Sequence, residues 1–248
     1  MSFDMKHVEY DIEVGYIDVV LPTGRCLPAY WAYPKLGQQF PGIVLIHDWW
    51  GLTNVIRRMA DRFAEMGYYV IAPDLFEGQI ANTPQLAMDL VQTYQDKAFS
   101  VVNDALHVLE GHHRCNRSVA AVGVGMGGSF AFEAAITVPQ IEAAVAYAGF
   151  PQRYLGRFKD AHVPICAFYG AYEQYIQPKI IKQLRAELLQ STTKNGLGHQ
   201  IHIVPNHGHA FFDDLDNEEV RHRHRQIMSD TFEFLELYLE RPTRTGKK

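Results

Sequence analysis

Ser118-Val-Ala-Ala-Val-Gly-Val-Gly125-Met126-Gly127-Gly128-Ser129 decides the fold. An apolar run with strand character meets a cluster of glycines, and an alanine-rich helical stretch, Phe130 to Ala135, follows. That order is the layout of a nucleophile elbow, in which a strand turns sharply into a helix and holds one reactive side chain at the apex. Glycines flank such an apex because the turn needs torsions and close approaches that a Cβ would forbid. The apex here is position 125, and it is glycine. The stretch thus predicts the scaffold of a catalyst without its nucleophile.

Working outward, residues 7 to 20 alternate apolar and polar positions (Val8, Tyr10, Ile12, Val14), and a turn at Pro22-Thr23-Gly24 leads to an extended stretch from Leu27 to Tyr33. Two-residue spacing around a turn predicts an antiparallel entry hairpin. Ile43 to Ile46 is short and continuously apolar, as a strand buried on both faces requires. Val55, Ile56, Met59, Phe63 and Met66 share one helical face, and Gly67 closes that helix. Tyr68 to Ala72 is a strand stopped by Pro73, and Phe76 to Pro84 is a loop suited to border a pocket. Two helices are predicted over 85–96 and 98–110, the second carrying Val101, Val102, Ala105, Leu106 and Leu109.

Beyond the elbow, strands are expected at Ile141 to Tyr147, Val163 to Tyr169 and His199 to Val204, and helices at 178–190 and 217–240. His222 and His224, alternating with Arg221, Arg223 and Arg225, read as a solvated face of the last helix. Strands alternating with helices argue an α/β fold: a doubly wound, mostly parallel sheet with helices on both faces. One domain is expected over residues 1–240, with a polar tail at 241–248.

Composition narrows the function. A net charge of −5 with dispersed basic residues gives no electrostatic footprint for nucleic acid. No apolar run approaches about 18 residues, and the N-terminus has no basic stretch followed by an apolar one, so no membrane role is expected and the reading is a cytoplasmic protein. Cys26, Cys115 and Cys166, odd in number and widely spaced, fit neither a disulfide framework nor a zinc motif.

In doubly wound sheets ligands bind beyond the carboxyl ends of the strands. Four strand-end loops carry the informative residues: Asp48 with Trp49, the glycine elbow, Glu173, and Asn206-His207-Gly208-His209. Nucleophile, acid and histidine in that chain order define the hydrolase triad of this topology. Here the order is Gly125, Glu173, His209.

These motifs resemble the dienelactone hydrolase family of the α/β-hydrolase superfamily. The resemblance rests on Gly42 to Leu52 with Asp48, Pro73-Asp74-Leu75-Phe76, the Gly123 to Gly128 elbow, and His209-Ala210-Phe211-Phe212, in order across roughly residues 8 to 240. It implies His209 as general base, Glu173 at the usual aspartate position that orients the histidine, and Asp48 at an acidic position near the nucleophile, usually glutamate. It also implies an oxyanion hole from the backbone N–H groups of Met126 and Trp49. Gly125 stands at the nucleophile position, where the family has cysteine. Two positions that carry substrate-binding arginines in enzymes acting on dienelactones correspond to Gly78 and Asp213.

The implied class is carboxylic-ester or lactone hydrolysis, with the covalent route closed because Gly125 has no side chain to form an acyl-enzyme. Two other outcomes stay open: a non-catalytic small-molecule-binding or regulatory module, and hydrolysis by water that His209 activates directly. The expected partner is a small ester or lactone-like ligand, with neither cofactor nor metal. The elbow also satisfies G-x-G-x-x-G, but that fingerprint belongs on the first βα unit with an acidic residue about 20 positions on. His207 and His209 have no third metal ligand at a recognised spacing. Ser129, one helical turn past the apex, is a candidate substitute nucleophile.

Overall fold

A computed structural model of the chain describes residues 9–21, 24–193, 196–212 and 218–239. Eight strands form one sheet: β1 (Ile12–Val20), β2 (Cys26–Pro34), β3 (Phe40–Ile46), β4 (Tyr69–Pro73), β5 (Cys115–Val124), β6 (Ala143–Tyr147), β7 (Ile165–Gly170) and β8 (Gln200–Val204). Their spatial order is β1-β2-β4-β3-β5-β6-β7-β8. β1 pairs antiparallel with β2, and β2 antiparallel with β4, while every pairing from β4 to β8 is parallel. Only β2 therefore runs against the rest. Val8, the expected tail at 241–248 and Asp213 lie outside the described residues.

Alternation along the strands builds two cores. Val44, Ile46, Val119, Ala121, Ala144, Ala146, Ile165 and Ala167 face one side, under α2 (Pro84–Gly111), α3 (Met126–Thr137) and α4 (Pro178–Gln190). Ile43, Leu45, Ala120, Val122, Ala143, Val145, Cys166 and Phe168 face the other, under α1 (Asn54–Glu65) and α5 (Glu218–Tyr238). A sheet covered on both faces is what continuously apolar strands demand, since each side chain needs a partner layer.

Local chemistry sets the helix ends. In α1, Ile56, Met59, Ala60, Phe63 and Ala64 form the buried stripe, and the chain leaves it through Gly67 at φ +92°. Truncating Phe63, fully buried against Tyr68 and Phe232, would cost about 3–5 kcal/mol. α2 starts at Thr83, whose side chain accepts a hydrogen bond from Leu86 N–H, with Pro84 in the first turn.

α2 also corrects the sequence reading: the two predicted helices are one helix of 28 residues. No glycine or proline interrupts Gln95 to Ala98, and the apparent break is a change in how much of the helix is buried. Its first half buries only Ala87 and Leu90; from Ala98 onward Val101, Val102, Ala105, Leu106 and Leu109 pack on the sheet. The face assigned to solvent on the last helix is corrected at His224, which is buried and accepts a hydrogen bond from Phe212 N–H at 3.2 Å. The side chains of residues 218–223, His222 included, lie outside the description. Among the described residues no helix is long and apolar enough to cross a membrane.

Candidate active site

The elbow forms where β5 gives way to α3. Gly125 has φ +53° and ψ −114°, a conformation largely closed to residues with a side chain. Its N–H donates to the Tyr147 carbonyl (2.8 Å), and its carbonyl accepts from Ser129 N–H (3.2 Å), so both sides of the apex are tied down. Gly127 is glycine for a different reason. A Cβ there would lie 2.2 Å from the Ile46 carbonyl oxygen, so the first turn of α3 presses directly on the end of β3. That contact brings Gly125 beside Asp48: a Cβ built on Gly125 would lie 3.4 Å from the Asp48 Cβ.

On the other side of the apex, the loops after β7 and β8 are stitched together. Tyr172 N–H donates to the His207 carbonyl (2.8 Å) and Ala171 N–H to the Val204 carbonyl (2.9 Å). This holds His209 Nδ1 at 2.8 Å from Glu173 Oε2. Glu173 Oε1 accepts from Tyr175 N–H (2.7 Å) and Ile176 N–H (3.2 Å). Burial pushes the Glu173 pKa upward, but the His209 hydrogen bond and charge and the two backbone donors outweigh it, leaving it below the usual carboxylate range. A carboxylate accepting at Nδ1 fixes the proton there, so Nε2 keeps its lone pair. Nε2 faces the apex, 3.9 Å from where a Cβ on Gly125 would stand.

The structure thus brings Gly125, Asp48, Glu173 and His209 to one end of the sheet. Asp48 Oδ1 accepts from Trp50 N–H at 2.9 Å, which shapes the turn after β3. Met126 opens α3, so its N–H has no acceptor inside the helix. Among the described residues neither Met126 nor Trp49 donates to a backbone carbonyl outside the regular elements. Ser129 serves another purpose: its Oγ accepts from Phe150 N–H (2.9 Å) and lies 3.5 Å from the Gly125 carbonyl. Cys115 and Cys166 are buried within strands, where burial raises both thiol pKa values, Cys115 to about 11. Gly78 sits in the turn after β4, its N–H donating to Asp74 Oδ2.

Three features escaped the sequence reading. Tyr175 meets the His209 ring edge-on at 4.8 Å, and Phe150 packs at 5.4 Å, so the imidazole stands between two aromatic rings. Phe150 follows β6 and Tyr175 follows β7, and only the fold brings them to one ring. The third is His47, fully buried: Nδ1–H donates to the Asp48 carbonyl (2.6 Å), and Nε2 accepts from Leu75 N–H (3.0 Å). Desolvation lowers its pKa, which keeps the ring neutral and this link between two strand-end loops intact.

Strand order, elbow and strand-end loops together define an α/β-hydrolase fold. The dienelactone hydrolase family model matches residues 27–239, and the chain belongs to that family. It is 27% identical to Protein usf of Aquifex pyrophilus over 77% of this chain and 84% of that protein. Among solved structures, a dienelactone-hydrolase-like promiscuous phosphotriesterase from metagenomic libraries superposes with a TM-score of 0.75 at 20% identity, over 90% of this chain and 98% of that one. Dienelactone hydrolase from Anabaena variabilis gives a TM-score of 0.66 at 17% identity, over 92% and 99%.

Proposed function

We propose that the protein hydrolyses small neutral esters or lactones by water that His209 activates, the family's covalent route being closed at Gly125. The observation that carries this reading is the placement of His209 Nε2. It lies 3.9 Å from where a Cβ on Gly125 would stand, while Nδ1 is held by Glu173.

The step follows from that geometry. A water beside the apex gives a proton to Nε2 as its oxygen attacks the substrate carbonyl carbon. Glu173 stabilises the imidazolium that forms, and the N–H groups of Met126 and Trp49 receive the carbonyl oxygen as it becomes an oxyanion. When the tetrahedral intermediate collapses, the C–O bond to the leaving alkoxide breaks and His209 returns the proton to it. General-base catalysis contributes about 10²–10⁴, and losing a triad nucleophile costs on the order of 10⁶. Turnover is therefore slow by the standards of the fold. Gly78 at a position implied to hold an arginine supports neutral rather than anionic substrates.

Steady-state hydrolysis of a chromogenic ester by wild type and His209→Ala tests the proposal. Turnover above background in wild type that disappears in the variant is expected. Equal rates would refute it and leave the site a binding module.

A further inference from the structure

A cavity of about 210 Å³ opens between the start of β2, the turn after β4 and the middle of α2. None of its lining residues belongs to the His209 site. Leu27, Leu75, Ala98 and Val101 supply an apolar wall. The charged residues that border it differ in what already holds them. Asp74 spends its carboxylate on its own turn, accepting from Phe76 N–H (3.0 Å) and Gly78 N–H (2.9 Å). Glu77 stands 3.8 Å from Arg25 and accepts from the Tyr94 hydroxyl at 3.5 Å. Lys97, exposed, has no ion-pair partner among the described residues.

An apolar wall beneath an uncommitted ammonium selects an anion with an apolar body. Size narrows the choice further: a dry cavity of about 150 Å³ holds benzene, so this one has room for a ring and a carboxylate. We propose that the cavity binds a small aromatic carboxylate, its ring against Leu27, Leu75 and Val101 and its charge on Lys97. The turn that walls this site also supplies the Leu75 N–H that holds His47, so the cavity and the Asp48 loop share one wall. Binding here requires no catalysis at His209.

Cys26 provides the readout. It lines the cavity and is exposed, whereas Cys115 and Cys166 are buried. Modification of the folded protein by a chromogenic disulfide reagent, located by mass spectrometry, is timed against increasing benzoate in wild type and Lys97→Glu. Benzoate is expected to slow Cys26 modification saturably in wild type. The variant replaces attraction with repulsion at an exposed site and should weaken that protection about tenfold. Benzyl alcohol, which keeps the ring but not the charge, should protect weakly and equally in both proteins. Absence of protection by benzoate, or equal protection by benzoate in the two proteins, would overturn the assignment.

Discussion

His209 Nδ1 lies 2.8 Å from Glu173 Oε2, and the two side chains meet from loops 36 residues apart on neighbouring parallel strands. The bond closes because three donors converge on one buried carboxylate: the His209 ring and the N–H groups of Tyr175 and Ile176. An amide at position 173 keeps the size but cannot stabilise an imidazolium. Glu173→Gln is therefore expected to lower kcat/KM of the wild-type esterase activity by about 10²-fold or more with little change in KM. Parallel kinetics on one chromogenic ester check this. Unchanged kcat/KM would remove Glu173 from the mechanism.

The two elbow glycines are predicted to respond differently to a single methyl group. Gly127→Ala places Cβ 2.2 Å from the Ile46 carbonyl oxygen, which only backbone movement relieves. Gly125→Ala meets nothing closer than 3.4 Å and bears only torsional strain at φ +53°, on the order of 1–3 kcal/mol. Thermal unfolding should show Gly125→Ala folded with a lowered Tm and Gly127→Ala far less stable. The reverse ranking would contradict the described packing.

Acid stability should depend on His199. Its Nδ1 accepts from Ile165 N–H at 3.1 Å in a buried setting, and burial lowers its pKa from 6.5 to about 4. The folded state holds the ring neutral, so the unfolded chain binds the proton first as pH falls. The stabilisation is complete above about pH 6.5 and is lost as pH drops toward about 4, by roughly 3 kcal/mol. Buried His47 and the lowered carboxylate of Glu173 act in the same direction, the latter below its unfolded pKa. Urea unfolding at about pH 7 and about pH 4 should show a smaller loss for His199→Asn than for wild type. Equal losses would show that His199 is not the titrating group.

The alternation of strands and helices was legible because burial on both faces leaves continuous apolar runs, and the elbow because its glycines stand at a strand-to-helix junction. Chain order placed Asp48, Gly125, Glu173 and His209 after the ends of β3, β5, β7 and β8, and the fold brings those ends together. Three things were not legible. The unity of α2 was hidden because its first half is mostly exposed, and a change of burial imitates a break. The burial of His224 was hidden among arginines, since its hydrogen bond to Phe212 joins the last helix to the chain that precedes it. The ring contacts of Phe150 and Tyr175 with His209 join three loops, and no local pattern encodes them.

The proposed hydrolysis requires a site that lacks only a side chain at position 125. Its most direct test mixes Gly125→Cys with an activated acetyl ester and follows the protein by mass spectrometry. A burst of one equivalent, a single acetyl group at position 125, and loss of both when His209→Ala is added are expected. A folded Gly125→Cys protein that forms no adduct, or one acetylated equally fast without His209, would contradict it.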